Sequence, residues 1–395
     1  MTSLSRSTAV HENRVFQEGG WHPNIPLIGE ADARRRLQTP ALLVELAPLT
    51  RNINAMAEIA AKAGVALRPH VKAHKCPAIA HRQISAGAIG VACVTLDEVE
   101  AMVFAGIGNV LITSPLVTTE KIDRLIALIA RAGTGDIQVV ADQPGNIAAL
   151  AAAARHGGVI LPILVDYDVG QNRTGAPTPD AALKVAQSIL DQPNLKLAGL
   201  QAYAGHIQHI VDRNERQRAA GTVHARVHAL LDLAAERGID FPTISGGGTG
   251  THAFDAQSSV FTELQPGSYV FMDAEYQTVL SNGGVASPFE TSLFVQTTVV
   301  SAHHLRRATI DGGTKCFATD GGNPETARGA PFDSQYIFAG DEHGKLLLTE
   351  GSLPPGARVE FVTPHCDPTV NLHNACHVMD GDHLVAIWPI RARGY

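Results

Sequence analysis

At 395 residues the chain is too long for a single small module and has room for one domain of about 250 residues plus a smaller one. Apolar residues make up 45% and charged ones 17%, which excludes a disordered or coiled-coil chain. A net charge of −7 with no basic run argues against a nucleic-acid partner, and no apolar window near ~20 residues is present to cross a bilayer or to open the chain as a signal peptide. A cytoplasmic enzyme is the expectation, and five scattered cysteines without a CxxC pair are expected to be reduced.

Residues 1–38 carry Gly19-Gly20, Pro23, Pro26 and a charged stretch, and read as an extended arm that packs on a later domain. A helix is predicted over 49–63. Strands then follow over 67–72, 90–95, 109–113, 137–141, 159–166, 196–203, 242–246 and 263–271, with helices over 77–87, 96–105, 119–132, 145–156, 179–190 and 211–237 between them. Eight strands in this rhythm predict an α/β fold of the (β/α)8 TIM-barrel type over 39–283. A doubly wound sheet is the alternative, but no GxGxxG turn follows the first strand. Beyond about 284 the helical period disappears. Alternating stretches at 292–301, 307–310, 345–348, 358–362 and 384–389 predict a C-terminal β-rich domain over 284–395.

In a barrel the chemistry stands at the C-terminal ends of the strands. Consecutive glycines, Gly246-Gly247-Gly248 before Thr249, fall after the seventh predicted strand, where backbone N–H groups can converge on a phosphate. Only eight lysines are present, and two of them, Lys72 and Lys75, stand at the end of the first strand, where His70, His74 and Arg68 could depress an amine toward nucleophilic or Schiff-base chemistry. If that stretch is extended, His70 and Lys72 share a face. Position alone does not choose between Lys72 and Lys75. Near the C-terminus, His365 and Asp367 would share a face of an extended segment and offer an open imidazole-plus-carboxylate pair to a divalent metal; a histidine-rich surface loop is the plainer alternative.

Taken in order, Arg68-Pro69-His70-Val71-Lys72-Ala73-His74-Lys75-Cys76-Pro77, Gly170-Gln171-Asn172-Arg173-Thr174-Gly175, Gln201-Ala202-Tyr203, Gly246-Gly247-Gly248-Thr249-Gly250, Glu263-Leu264-Gln265-Pro266-Gly267-Ser268-Tyr269, Asp341-Glu342-His343-Gly344 and His365-Cys366-Asp367-Pro368-Thr369 resemble the D-threonine aldolase / D-serine dehydratase family. These are pyridoxal-phosphate enzymes of the alanine racemase fold type, and the match runs from about residue 39 to the C-terminus. The resemblance implies that Lys72 carries pyridoxal 5'-phosphate as a Schiff base. It also implies that His70, Arg173, Tyr203 and Tyr269 adjoin the cofactor and that Gly246, Gly247, Gly248 and Thr249 hold its phosphate. His365 and Asp367 would bind a divalent metal, Mn2+ or Mg2+ ahead of Zn2+ or Co2+. His209 falls where the aldolases carry a histidine close to the metal, and is the implied base for a substrate hydroxyl.

A His-x-Asp pair accompanies the aldolases of this family and a His-x-Cys pair the dehydratases, so the resemblance points to a lyase that cleaves D-β-hydroxy-α-amino acids to glycine and an aldehyde. The dehydratase alternative would give a 2-oxo acid and ammonia from D-serine or 3-hydroxyaspartate. A racemase, a non-catalytic cofactor carrier and a sugar-phosphate barrel enzyme are further alternatives. The chain departs from the aldolases at Ala92-Cys93-Val94, at Thr113-Ser114-Pro115 and at Asn374, while Gly205-His206 is similar to the dehydratases. These loops line the expected barrel mouth, and substrate range is what they bear on. The family also implies a homodimer acting on a small D-amino acid.

Overall fold

The computed structural model describes residues 22–132, 137–284 and 286–394; the first 21 residues of the predicted arm lie outside these. Eight parallel strands follow one another round a ring: Ala66–Leu67, Val91–Cys93, Val110–Ile112, Ile137–Ala141, Leu161–Asp166, Leu195–Ala202, Thr243–Gly246 and Glu263–Leu264. The first pairs with the eighth, Ala66 opposite Glu263. Between the first and second the ring is completed by a bridge of His70 to Ala92, where the Ala92 N–H donates to Pro69 O at 2.9 Å. The predicted TIM-type barrel is therefore present, and its strands are buried nearly throughout because helices cover them outside.

Strand period and helix period each have a visible cause. Leu111, Val140 and Leu164 form a small apolar cluster of their own, a layer filling the barrel, while their chain neighbours Val110, Ile112, Val139, Ile163 and Val165 pack among the helices. Helix starts are set by hydroxyl and carboxylate caps: Thr95 Oγ1 accepts the Glu98 N–H at 3.2 Å, Thr178 Oγ1 the Ala181 N–H at 3.2 Å and Asp212 Oδ1 the Glu215 N–H at 2.7 Å. Two predicted strands give way to helical turns well before their predicted ends. The run 67–72 leaves strand geometry after Leu67 and closes into a 3-10 turn at Val71–Ala73, and 263–271 does the same at Ser268–Val270. In both, proline and glycine (Pro69; Pro266 and Gly267) break the ladder that the apolar residues alone would extend.

The second sheet runs, in spatial order, Gln335–Phe338, Gly344–Leu347, Arg307–Ile310, Leu293–His304, Ala41–Glu45, Ala375–Asp380 and His383–Pro389, with Arg358–Val362 against Leu293–His304 and Glu325–Arg328 beyond it. Ala41–Glu45 is the surprise. The sequence shows only a short apolar run there, yet it pairs antiparallel with Leu293–His304 and parallel with Ala375–Asp380, so the chain passes through this sheet before entering the barrel. Ala33 and Leu37, ahead of that strand, pack against Phe294, Met379 and Leu384, and Arg34 reaches Glu45 at 2.6 Å and Glu360 at 2.8 Å. A continuous core of Leu49 and Met56 from the helix Leu46–Ala63, Phe271, and Phe361 and Trp388 of the sheet joins the two parts. All five cysteines are free and buried, and no helix among the described residues is long and apolar enough to cross a membrane.

Inside the barrel, Arg68 and Glu263 form a two-bonded ion pair at 2.8 and 3.0 Å with both side chains under 5% exposed. Ser245 Oγ donates to the same carboxylate at 2.6 Å, and Arg68 Nη1 donates to Asn109 O at 2.5 Å, so the pair ties the end of the first strand to the seventh and eighth strands and to the start of the third. Removing one partner leaves the other charged and unpaired in the interior. Arg68→Ala is expected to lower unfolding free energy by about 3–5 kcal/mol in a urea titration; a loss under about 1 kcal/mol, the value of a surface pair, would contradict this placement.

Among the histidines held as neutral rings are the buried His74 and His377 and the half-buried His373. Burial pushes His74 down to about 4, His373 to about 4 and His377 to about 3. The unfolded chain takes up protons at these rings near pH 6.5 whereas the folded chain does not until about pH 3–4, so stability is full above pH 6.5 and falls as pH drops below it. Each ring costs up to about 1.4 kcal/mol per pH unit in that window. Glu98, Asp166 and Asp273, raised by burial, act in the opposite sense at the acid end. The urea midpoint is therefore expected to fall between pH 7 and 5; a midpoint constant across that interval would rule out neutral burial of these rings.

Candidate active site

At the mouth of the barrel lies a cavity of about 240 Å³ whose wall includes His70, Lys72, Arg173, Tyr203, Gly248 and Thr249. Lys72 reaches it from the 3-10 turn Val71–Ala73. His70 precedes that turn, and its Nδ1 accepts the Lys72 N–H at 3.3 Å. The two side chains line one cavity as expected, though not because they alternate along a strand. The turn also separates the two candidate lysines. Lys75, with φ of +49°, turns the other way: its Nζ lies 3.4 Å from the buried Glu98 carboxylate and donates to Ala392 O at 2.9 Å, which pins the C-terminal segment. Lys72 is the lysine that faces the cavity.

Burial opposes the Lys72 ammonium, but the Asp367 carboxylate, which accepts a hydrogen bond from Nζ, outweighs it and holds the amine above its usual range. Asp367 is likewise opposed by burial, and Lys72 with His365 holds its carboxyl well below the usual carboxylate range. His70 is pushed well down by burial and by the Lys72 charge; its Nε2 shares a hydrogen bond with Thr113 Oγ1 at 3.0 Å. The cavity wall thus combines cationic Lys72 and Arg173 with a neutral imidazole, and the Arg173 guanidinium lies over the Tyr203 ring at 5.5 Å.

The glycine run forms a tight loop at the barrel mouth. Gly247 has φ of +71°, and a side chain on Gly248 would meet the Gln208 amide oxygen at 2.5 Å. That same Gln208 oxygen accepts the N–H groups of Gly250 at 2.9 Å and Thr251 at 3.2 Å, fixing the loop. The N–H groups of Gly247, Gly248 and Thr249 are buried and donate to no atom among the described residues. Unpaired buried donors of this kind are costly unless a ligand accepts from them. Gly248 and Thr249 border the cavity; Gly246 lies behind it, packed on Phe261. This cradle, with an accessible lysine across from it, fits a phosphorylated aldehyde cofactor.

The His365 segment is not extended. Cys366–Asn371 is a helix with His365 as its N-cap, because Asp273 Oδ2 accepts the Cys366 N–H at 2.8 Å and Thr369 Oγ1 donates back to His365 O at 2.7 Å. Asp367, in the first turn, meets Lys72 and accepts from Ser268 Oγ at 3.2 Å, while His365 Nδ1 pairs with Asp320 at 2.7 Å. His209, 6.4 Å ring to ring from His365, pairs through Nδ1 with Glu275 at 2.9 Å. No group of three or more His, Cys, Asp or Glu side chains among the described residues is arranged to hold a metal. What the chain offers is one imidazole with its Nδ1 held by a carboxylate and one carboxylate beside it, the donor types of an open catalytic site.

Tyr269 stands elsewhere than the resemblance implies: it is fully buried, its hydroxyl accepts from Gln83 Nε2 at 3.1 Å, and only its backbone N–H touches the site, through Thr249 Oγ1 at 3.2 Å. Tyr276 lines the cavity instead. Sequence reading assigned no role to Glu275, Asp320, Ser268 and Gln208, because each acts through a partner distant in the chain. Asp341-Glu342-His343-Gly344 forms a hairpin turn beside a separate cavity of about 250 Å³ in the β domain, which shares no lining residue with the first.

Residues 44–275 match the family model described as alanine racemase, N-terminal domain, and 292–379 match a serine dehydratase domain. The chain is 39% identical to a D-threonine aldolase of Arthrobacter sp over 92% of its length and 95% of the relative's. It is 35% identical to a 3-hydroxy-D-aspartate aldolase of Paracoccus denitrificans, over 94% and 95%. A D-threo-3-hydroxyaspartate dehydratase of Delftia sp. is more distant, at 26% over 90% and 98%. The crystal structure of a D-threonine aldolase from Filomicrobium marinum superposes with a TM-score of 0.87, at 37% identity over 91% of this chain and 97% of that one. Barrel, second sheet and matched length agree across these comparisons, and the chain belongs to the family of D-threonine and 3-hydroxy-D-aspartate aldolases, lyases built on an alanine racemase-type barrel.

Proposed function

We propose that this chain is a pyridoxal-phosphate-dependent, metal-assisted aldolase that cleaves D-β-hydroxy-α-amino acids of the D-threonine kind to glycine and an aldehyde. The observation that carries the reading is the contact of Lys72 with Asp367, 295 residues apart, which brings the candidate metal carboxylate against the lysine that lines the cavity. When bound, the cofactor would accept the electrons left on Cα as the Cα–Cβ bond breaks, and a divalent cation would make the β-hydroxyl more acidic. Lys72 would hold the cofactor, the buried N–H groups of Gly247, Gly248 and Thr249 its phosphate, and His365 with Asp367 the metal. His70 is neutral and bonded to Thr113, so it walls the cavity without adding a charge. Arg173, stacked on Tyr203, supplies a fixed cation to the cavity wall. His209 takes the proton of the β-hydroxyl at Nε2, the ring nitrogen that Glu275 leaves unengaged. The reading carries with it a cytoplasmic homodimer.

Incubation of the purified protein with pyridoxal phosphate, Mn2+ and D-threonine, D-serine or D-threo-phenylserine, followed by mass spectrometry, tests it. Glycine with acetaldehyde or benzaldehyde is the expected product pair. Pyruvate and ammonia from D-serine, with no glycine from the other two, would move the chain to the dehydratase chemistry of its more distant relatives.

A further inference from the structure

We infer that Glu275 is the positioning residue of the proton-transfer step: it fixes the tautomer of His209. The inference rests on the reading of His209 as the base. Glu275 Oε1 lies 2.9 Å from His209 Nδ1, and the charge of a carboxylate that close favours the imidazole proton on Nδ1 over Nε2. The lone pair then stands on Nε2, across the ring, which has no partner among the described residues. Without the carboxylate the proton is free to sit on either nitrogen, and a share of the rings is unable to accept from a substrate hydroxyl.

The placement is a product of one turn of helix. Glu275 and Tyr276 open the helix Ala274–Ser281, whose N-cap Asp273 accepts the Tyr276 N–H at 2.9 Å. Tyr276 packs its ring 5.0 Å from that of His209 and also walls the cavity. Asp273, through its other oxygen, takes the Cys366 N–H at the start of the helix that carries Asp367. A single turn therefore holds the candidate base by Glu275 and aligns the candidate metal pair by Asp273. Both members of the His209–Glu275 pair are more than a third exposed, 38% and 40%, so it adds little to folding stability and its consequence is read in the rate.

The experiment uses the full chain labelled with 15N-histidine, metal-free for spectroscopy and loaded with pyridoxal phosphate and Mn2+ for turnover. His209→Ala assigns the ring signals in 15N–1H correlation spectra. His209 is expected to carry its proton on Nδ1 in the unsubstituted protein and in Glu275→Gln, whose amide oxygen still accepts, and to populate both tautomers in Glu275→Ala. With D-threonine, kcat is expected to fall about 10- to 100-fold in Glu275→Ala with KM within about twofold, and Glu275→Gln to recover part of the loss. Loss of kcat in His209→Ala together with an unchanged kcat and an unchanged tautomer in Glu275→Ala overturns the inference alone. An unchanged kcat in His209→Ala removes the base itself and overturns both.

Discussion

Replacing Lys72 by alanine is expected to lower turnover of D-threonine by about 10^3-fold or more, since it deletes both a covalent anchor and a positioned amine. The visible absorbance that pyridoxal phosphate gives on binding is expected to disappear with it. Lys72→Arg is the informative companion. An arginine keeps a cation beside Asp367, so the site's charge balance and the fold are preserved, but a guanidinium does not form the bond to an aldehyde carbon that an amine forms. Loss of activity and of the absorbance in both variants, with unchanged melting behaviour in Lys72→Arg, separates the covalent role from the electrostatic one. Retention of the absorbance in Lys72→Arg would instead leave the anchoring to another lysine. Lys75 is a poor substitute, because its amine is spent on Glu98 and the Ala392 carbonyl.

Chelation is expected to have an effect of comparable size. Treatment with EDTA should reduce kcat by about 10^2-fold or more, matching the several kcal/mol that a Lewis acid contributes, and Mn2+ should restore it. His365→Ala and Asp367→Ala each remove one of the two donors that this chain presents, and neither is expected to recover on addition of Mn2+ at concentrations that restore the unsubstituted enzyme. The Asp367 variant also releases Lys72 from its partner. For that reason His365→Ala is the cleaner of the two: its contacts to Asp320 and to the His209 ring lie away from Lys72. Full activity after EDTA, confirmed free of metal by elemental analysis, would remove the metal from the proposal and leave His365 with its pairing to Asp320 alone.

Much of the architecture could be read before the coordinates. Val110–Ile112, Ile137–Ala141 and Leu161–Asp166 are apolar runs bounded by glycine, proline or polar residues, and burial on both faces demands that pattern. Thr119–Ala132 and Pro179–Leu190 fall on their predicted bounds, because the helical period and a first-turn cap both mark them. Strands of the second sheet were less legible. Glu325–Arg328 and Gln335–Phe338 alternate over only four residues, too few to stand out from a loop, and Ala41–Glu45 is a strand because two partners from beyond residue 290 flank it.

The same division runs through the site. The sequence by itself determined the barrel and the glycine loop after the seventh strand, because local period and backbone freedom are written in neighbouring residues, while Lys72, Arg173, Tyr203, His209, His365 and Asp367 were singled out together by the family resemblance of the motifs that hold them. Only the tertiary structure decided which lysine faces the cavity, since a 3-10 turn with a left-handed Lys75 sends two residues three apart to different sides. It also decided that His365 caps a helix, that Tyr276 and not Tyr269 walls the cavity, and that Glu275 and Asp320 hold the two histidines. The contacts of Glu275, Asp320 and Asp273 join elements tens of residues apart. Such contacts depend on where the chain returns, which barrel closure and the docking of the second sheet establish, and no local pattern in the sequence records it.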